Sequence, residues 1–275
     1  MDPNVLLVGC GDLGADIGLR LAGRGHGVLA VRRRAELVPA PLIGVPADLT
    51  REVPALPDLD LHYLVVALSA RPRTEAAYRE TYVEGLGRAL QALTDAGQRP
   101  RRAVLVSSTG VYGELPATVL GDEQTPAEPD DGPSRMLLDA EHLFTSQVGG
   151  GTVLRLSGLY GRGPSRLADQ VREGRVSDPD RWTNRIHRED AAAAVVHLLT
   201  RAEVPDALYV GTDDEPALMG EVAGYLAERL GAQAPPATTP GQDHGKRLSN
   251  VRLRQSGWVP AYPTFREGYR DYPPA

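Results

Sequence analysis

Close to the N-terminus, Gly9-Cys10-Gly11-Asp12-Leu13-Gly14 spaces three glycines as G-x-G-x-x-G. A glycine at the first place permits a tight turn. One at the second lets backbone amides approach a pyrophosphate, and one at the third lets a helix pack closely on a strand. A helix opening here would add unpaired N–H groups and a partial positive charge for the anion. The expected chemistry is therefore binding of a dinucleotide phosphate, through Gly9, Gly11, Asp12, Leu13 and Gly14. Proteins that bind FAD or SAM carry related loops, so the loop alone does not name the ligand.

The end of the second apolar run narrows the choice. It reads Val31-Arg32-Arg33-Arg34, with no acid until Glu36. A site for NAD(H) usually carries an acid about 20 positions beyond the loop, bonding the ribose 2′-hydroxyl, whereas arginine accommodates a 2′-phosphate. A guanidinium suits phosphate by charge and by its two-pronged donor geometry. Arg32 and Arg33 thus favour NADP(H), with NAD(H) left open and a solvated basic turn as the alternative.

Other reactive residue types are sparse. Cys10 is the only cysteine, so no intrachain disulfide or thiolate metal cluster can form. Its place at a helix start would lower the thiol pKa and make it reactive. The six histidines show no metal-ligand spacing, and no metal is expected. Asp130-Asp131 and Asp213-Asp214-Glu215 lie beside Gly or Pro and read as solvated loops. A net charge of −6 gives no reason to expect a nucleic-acid partner, and three arginines are too few for a binding stripe. The first apolar run, Val5–Val8, is too short for a signal peptide or membrane span, so the expected location is cytoplasmic, with no membrane partner.

The elements that must position these residues alternate. Apolar runs suited to doubly buried strands occur at Val5–Val8, Val28–Val31, Tyr63–Ala67, Ala103–Val106 and Val153–Leu156. Leu13, Ile17 and Leu21 form one helix face between the first two. Further helices are predicted over Thr74–Asp95, Ser134–Gln147, Glu189–Thr200 and Leu218–Leu230, with a short strand at Leu208–Val210. Such alternation predicts an α/β fold: a Rossmann-type, doubly wound parallel sheet with a small, mostly helical C-terminal lobe. The expected domains are 1–160 for the dinucleotide and 161–275 for a smaller substrate-side lobe, with return elements from the latter to the sheet left open. The stretch Ala232–Gly241 reads as flexible, and the residues beyond it read as an irregular tail.

With these pieces in order, the chain resembles the extended short-chain dehydrogenase/reductases, the NAD-dependent epimerase/dehydratase family, over nearly its whole length. The motifs that carry the resemblance are the glycine loop, Ala47-Asp48-Leu49, Val66-Ala67-Leu68-Ser69-Ala70 and Ser107-Ser108-Thr109-Gly110-Val111-Tyr112-Gly113. Arg155-Leu156-Ser157-Gly158-Leu159-Tyr160-Gly161 and Arg185-Ile186-His187-Arg188-Glu189-Asp190 continue it. The last of these, with Ser249-Asn250, resembles the atypical YeeZ-type subgroup. The resemblance implies Asp48 and Leu49 near the adenine, and Ala67, Leu68 and Ser69 along the ribose and pyrophosphate. Ser107 joins the cofactor residues, and Leu156–Leu159 would lie near the nicotinamide. Ser108 matches the catalytic Ser/Thr, and Asn184, Arg185 and His187 fall on the substrate side. A homodimer is left open.

One part of the pattern is missing. Family chemistry uses a tyrosine and a lysine four residues apart on one helix face, the lysine lowering the phenol pKa for proton exchange. The corresponding helix reads Pro133-Ser134-Arg135-Met136-Leu137-Leu138-Asp139-Ala140-Glu141, with Pro133 and Leu137 in those places. The only lysine, Lys246, follows Gln242 by four, so no Tyr-x-x-x-Lys exists in the chain. Three functions stay open. One is an NADP(H)-dependent oxidoreductase or epimerase acting on a small or nucleotide-linked carbonyl or hydroxyl compound by a non-standard relay. The others are a non-catalytic NADP(H)-binding sensor and, opposed by the arginines, a SAM- or FAD-dependent enzyme.

Overall fold

The computed structural model describes residues 3–57, 60–161, 163, 165–239, 241, 243–270 and 272. Gln242, four residues before the lone lysine, lies outside the described residues, as does Pro240 within the Ala232–Gly241 stretch.

Seven strands form one sheet: β1 (Pro3–Val8), β2 (Gly27–Arg32), β3 (Ile43–Pro46), β4 (Tyr63–Val66), β5 (Arg102–Ser108), β6 (Thr152–Leu156) and β7 (Leu208–Gly211). Their order is β7-β6-β5-β4-β1-β2-β3. The pairings of β1 with β2 and β4, of β2 with β3 and of β4 with β5 are parallel. Parallel strands covered on both faces need continuous apolar runs, and Val5, Leu6, Leu7 and Val8 are each no more than 1 % exposed. After β3 the chain returns to place β4 on the other side of β1. In open α/β sheets this reversal leaves a crevice beyond the carboxyl ends of the strands.

Helices pack on the sheet by their apolar stripes. Helix α1 (Asp12–Ala22) buries Gly14, Ile17, Gly18 and Leu21. The predicted helix over Thr74–Asp95 forms, capped by the Thr74 hydroxyl, but it is not uniform. Between the α-helical Glu75–Tyr78 and Gly85–Asp95, residues Arg79–Glu84 form a π-helical turn, in which Gly85 N–H donates to Glu80 O five residues back. Gly85 fits here because a Cβ would crowd Glu80 O at 3.2 Å and Leu49 Cβ at 3.4 Å. Helix α2 (Gly132–Gln147) starts two residues before the predicted Ser134, because Asp131 accepts the Ser134 N–H at 2.7 Å and Pro133 suits the first turn. Asp131 also pairs with Arg73 at 2.6 Å, so it caps a helix where a solvated loop was expected. Leu6, Val8, Leu64, Val66, Leu86, Leu90, Leu105 and Phe144 fill the core between sheet and helices.

Two compact units divide the chain. The first takes residues up to Val111, Ala127–Arg155 and Ala192–Tyr209; the second takes Tyr112–Pro126, Leu156–Ala191 and the residues from Val210 onward. This interleaving is finer than a single cut after residue 160. Within the second unit, Gly158–Tyr160 pairs in parallel with Arg185–His187. Arg181–Thr183 lies between Ala217–Leu218 and His244–Gly245, and Leu120–Gly121 pairs with Arg247–Leu248. These strands of two or three residues are too short to show a period in sequence. The unit's core gathers Tyr160, Val171, Val222, Leu226, Phe265 and Tyr269 around helix Met219–Leu230. The tail predicted as irregular holds helices Val251–Gln255 and Phe265–Gly268. No helix among the described residues is long and apolar enough to cross a membrane.

Candidate functional site

A cleft of about 370 Å³ opens in the first unit where β1, β2, β3 and β4 end. Of the residues singled out in sequence it is lined by Gly9, Gly11, Arg32, Arg33, Asp48, Leu49, Ala67, Leu68 and Ser69. The strands deliver these residues from distant stretches of chain because β1 and β4 are neighbours at the reversal of strand order.

The glycine loop is built as its spacing requires. Gly9 has φ +92°, which an L side chain rarely adopts, and a Cβ there would meet Ala67 O at 2.5 Å. The β1 and β4 loops therefore touch through backbone. Gly14 is buried at the start of α1, where a Cβ would collide with Gly9 O. Gly11 differs: a Cβ there meets nothing within 4 Å, so its bare side faces open space at the helix N-terminus. That is the form of a cradle for an anion approaching the backbone. Asp12, Leu13 and Gly14 form the first turn of α1 and do not line the cleft.

Guanidinium groups dominate the rim. Arg32 donates from Nη1 to Leu37 O at 3.1 Å and so steadies its own turn. Arg33 and Arg34 are exposed, and no hydrogen bond or ion pair among the described residues engages either guanidinium. No carboxylate stands at the end of β2. Asp48 accepts from the Thr50 N–H at 3.1 Å and from the Thr50 hydroxyl at 2.7 Å. The Thr50 hydroxyl holds its carboxyl below the usual range, and Arg33 and Arg51 add to this. Cys10 corrects an expectation. It is 1 % exposed, and burial raises its thiol pKa against the opposing pull of Arg32, so the lowered pKa expected of a helix start is not found.

The sequence reading missed Arg34, Thr50, Arg71, Ala77, Glu80 and Thr81, which also line the cleft. Ala77, Glu80 and Thr81 come from the helical stretch Glu75–Glu84, which turns them to the cleft together. Arg34 had a signal in the arginine run, and Thr50 and Arg71 directly follow Ala47-Asp48-Leu49 and Val66–Ala70; Ala77, Glu80 and Thr81 come from a segment without a motif.

Ser107 and Ser108 end β5. The Ser107 hydroxyl donates to Glu141 Oε1 at 2.5 Å, and Arg155 grips the same carboxylate through Nε at 3.0 Å and Nη2 at 2.7 Å. The buried ion pair ties β5, β6 and α2 together, and a pair of this kind adds little net stability over apolar packing. Ser108 accepts the Gly110 N–H at 3.1 Å in a local turn, which uses an acceptor site and leaves the hydroxyl proton to donate. Pro133 sits in the first turn of α2, and Leu137 is a core residue 7 % exposed.

In the second unit, Asn184 is committed to backbone. Its Nδ2 donates to Lys246 O at 2.8 Å and its Oδ1 accepts the Leu248 N–H at 2.8 Å. His187 is buried, with Nδ1 accepting the Glu189 N–H at 3.3 Å as helix Arg188–Thr200 begins. Its ring lies 3.8 Å from that of Tyr262. Arg185 is 6 % exposed and donates from Nη2 to Thr183 Oγ1 at 2.5 Å, while its Nη1 has no hydrogen-bond partner among the described residues. Asp213 corrects the solvated-loop expectation: it is 1 % exposed, in a buried segment beside Arg185. Burial pushes its carboxyl up to about 8 against the pull of Arg185. Asn250 folds this segment inward by donating to Thr212 O at 2.9 Å and Asp214 Oδ1 at 2.7 Å. Tyr112 is buried and donates to Asp122 O at 3.0 Å, and Lys246 donates to Tyr112 O.

Comparison with known proteins places this geometry. The profile of the NAD dependent epimerase/dehydratase family matches residues 5–211. No curated protein matches the chain. A Methylobacillus flagellatus structure, named as a candidate NAD-dependent epimerase/dehydratase, is 35 % identical with a TM-score of 0.82 and covers 98 % of this chain and 97 % of its own. The Thermus thermophilus UDP-glucose 4-epimerase, solved with NAD, is 22 % identical with a TM-score of 0.76, covering 97 % and 96 %. MoeE5, solved with UDP-glucuronic acid and NAD, is 21 % identical with a TM-score of 0.79, covering 97 % and 96 %. The last two share the fold; the profile match and the 35 % identical structure go further, and by them this chain belongs to the NAD dependent epimerase/dehydratase family.

Proposed function

We propose that the protein binds NADP(H) in the cleft of the first unit and acts as an oxidoreductase or epimerase on a small or nucleotide-linked carbonyl or hydroxyl compound. The observation that carries the cofactor choice is the cleft's rim. Arg32, Arg33, Arg34 and Arg71 line it, and among the described residues no acid ends β2 itself, the cleft's carboxylates Asp48 and Glu80 coming from other segments. The residues fit such a ligand. Gly11 is open where a diphosphate would approach, and Gly9 and Gly14 have no room for anything but glycine.

In this reading the glycine loop and the α1 N-terminus hold the diphosphate, Arg32 and Arg33 the 2′-phosphate, and Asp48 and Leu49 border the adenine. Ala67, Leu68 and Ser69 follow the ribose, with Ser107 fixing the strand end beside them. NAD(H) is the competing ligand, because two of the similar structures were solved with NAD. When bound, the nicotinamide supplies or accepts a hydride. Ser108 has a hydroxyl proton free to donate to a substrate oxygen. On the substrate side we assign Arg185, whose Nη1 lacks a partner, ahead of Asn184 and His187, which hold backbone.

A second reading, a non-catalytic NADP(H)-binding regulator, is favoured by the relay positions. Pro133 and Leu137 can neither donate nor accept a proton, and the only lysine is bonded to a backbone carbonyl. The two readings separate when protein saturated with NADPH meets a panel of aldehydes, ketones and nucleotide sugars. Oxidation of NADPH, or an isomerised product, that is lost in Ser108→Ala supports the enzyme. Tight binding with neither supports the regulator.

A further inference from the structure

The Ala67–Ser69 segment is gripped from two sides. From one side Gly9 presses against it so closely that a Cβ would stand 2.5 Å from Ala67 O. From the other, the Tyr82 hydroxyl donates to Leu68 O at 3.2 Å. Tyr82 belongs to the π-helical turn Arg79–Glu84. Its ring packs on the core and lies 5.1 Å from the ring of Tyr78, one turn earlier. The residue before it, Thr81, lines the cleft with Ala77 and Glu80. An extra residue in a helical turn re-aims the side chains that follow it, and such turns occur often at functional sites. Here it puts Thr81 on the cleft and Tyr82 under the neighbouring loop.

We propose that Tyr82 is a positioning residue for the dinucleotide, holding the loop after β4 in its binding shape through the bond from its hydroxyl to Leu68 O. The inference rests on the cleft being the dinucleotide site. Leu68 and Ser69 line that cleft through a segment with no regular secondary structure, so the bond supplies order that no ladder or helix provides there. The hydroxyl keeps its proton at any working pH. Burial pushes the phenol up to about 12, an effect tempered by the Ala70 backbone amide on the same side.

Tyr82→Phe removes the hydroxyl and keeps the ring, so the packing against Tyr78 and the core survives. Tyr78→Phe is the control, because its hydroxyl has no hydrogen bond among the described residues. Both full-length variants are titrated with NADPH and with NADH, and amide hydrogen exchange is followed at Leu68, Ser69 and Ala70. A bond of ordinary strength predicts that Tyr82→Phe weakens both dinucleotides by the same factor, about three- to tenfold, and speeds exchange at these amides. Tyr78→Phe should change neither. Unchanged affinity in Tyr82→Phe overturns the proposal, as does a loss equal to that of Tyr78→Phe. If the wild-type protein binds no dinucleotide, the binding-site reading fails instead, and the exchange rates alone report whether Tyr82 holds the loop.

Discussion

Gly11→Ala and Gly14→Ala each add one methyl to the same loop, yet they should fail in opposite ways. At Gly11 the new Cβ meets nothing within 4 Å, and its φ of −80° suits an L residue. The folding cost is that of a poorer N-cap, about 0.5–1 kcal/mol. The methyl then occupies the open side along which a phosphate would reach the backbone. Losing one hydrogen bond to a charged group costs about 1.5–3 kcal/mol, so dinucleotide affinity should fall about ten- to a hundredfold.

At Gly14 the methyl collides with Gly9 O, a backbone atom that cannot rotate away. Overpacking costs about 1–3 kcal/mol, offset by the roughly 1 kcal/mol better helix propensity of alanine. With that Cβ far inside van der Waals distance of a backbone oxygen the upper end of the range applies, and the expected net loss is about 2 kcal/mol. Urea unfolding of both variants, with calorimetric titration of NADPH, separates the two effects. A Gly11→Ala protein that binds as tightly as wild type would refute the cradle. A Gly14→Ala protein of unchanged stability would refute the close packing of α1 on the loop.

Two further outcomes rest on charge. Arg32→Ala with Arg33→Ala should weaken NADPH about tenfold or more at low salt and NADH by less than about threefold, the difference shrinking with added salt; equal losses in paired titrations would remove the argument for 2′-phosphate recognition. The folded protein holds the Asp213 proton up to about 8, against an ordinary value of 3.8, so between these pH values it binds more protons than the unfolded chain. Stability therefore falls as pH rises through that window, by at most about 1.4 kcal/mol per pH unit. Asp213→Asn should flatten the decline and exceed wild type in melting temperature most at pH 8; a difference independent of pH would contradict an ionisable, buried Asp213.

The legible parts of the fold were those whose burial leaves a long signature. Val5–Val8, Val28–Val31 and Ala103–Val106 lie within observed strands because doubly buried parallel strands are continuously apolar. The edge strand Ile43–Pro46 was less visible, since its glycine, proline and exposed Ile43 break such a run. The π-helical turn leaves no trace in a 3.6-residue pattern. Thr264-Phe265-Arg266-Glu267, by contrast, carries a capping box that could have placed the final helix inside the tail read as irregular.

At the site, the glycine loop and arginines were readable because their chemistry is local. Arg71 and Thr50 were not, because each lies just past the residues that the motifs single out, and Glu80 was not, because only tertiary structure brings its segment to the cleft. Asp213 was misread for the same reason. Asp-Asp-Glu-Pro resembles a solvated turn until Asn250, from a distant segment, draws it inward.

We propose that a dinucleotide carrying a 2′-phosphate occupies the arginine-rimmed cleft. Titrating the wild-type protein in parallel with NADPH and NADH at fixed, low salt tests it most directly. NADPH should bind at least about tenfold more tightly, as expected for one charge-assisted contact to the extra phosphate. Equal affinities, tighter binding of NADH, or no binding of either would contradict it.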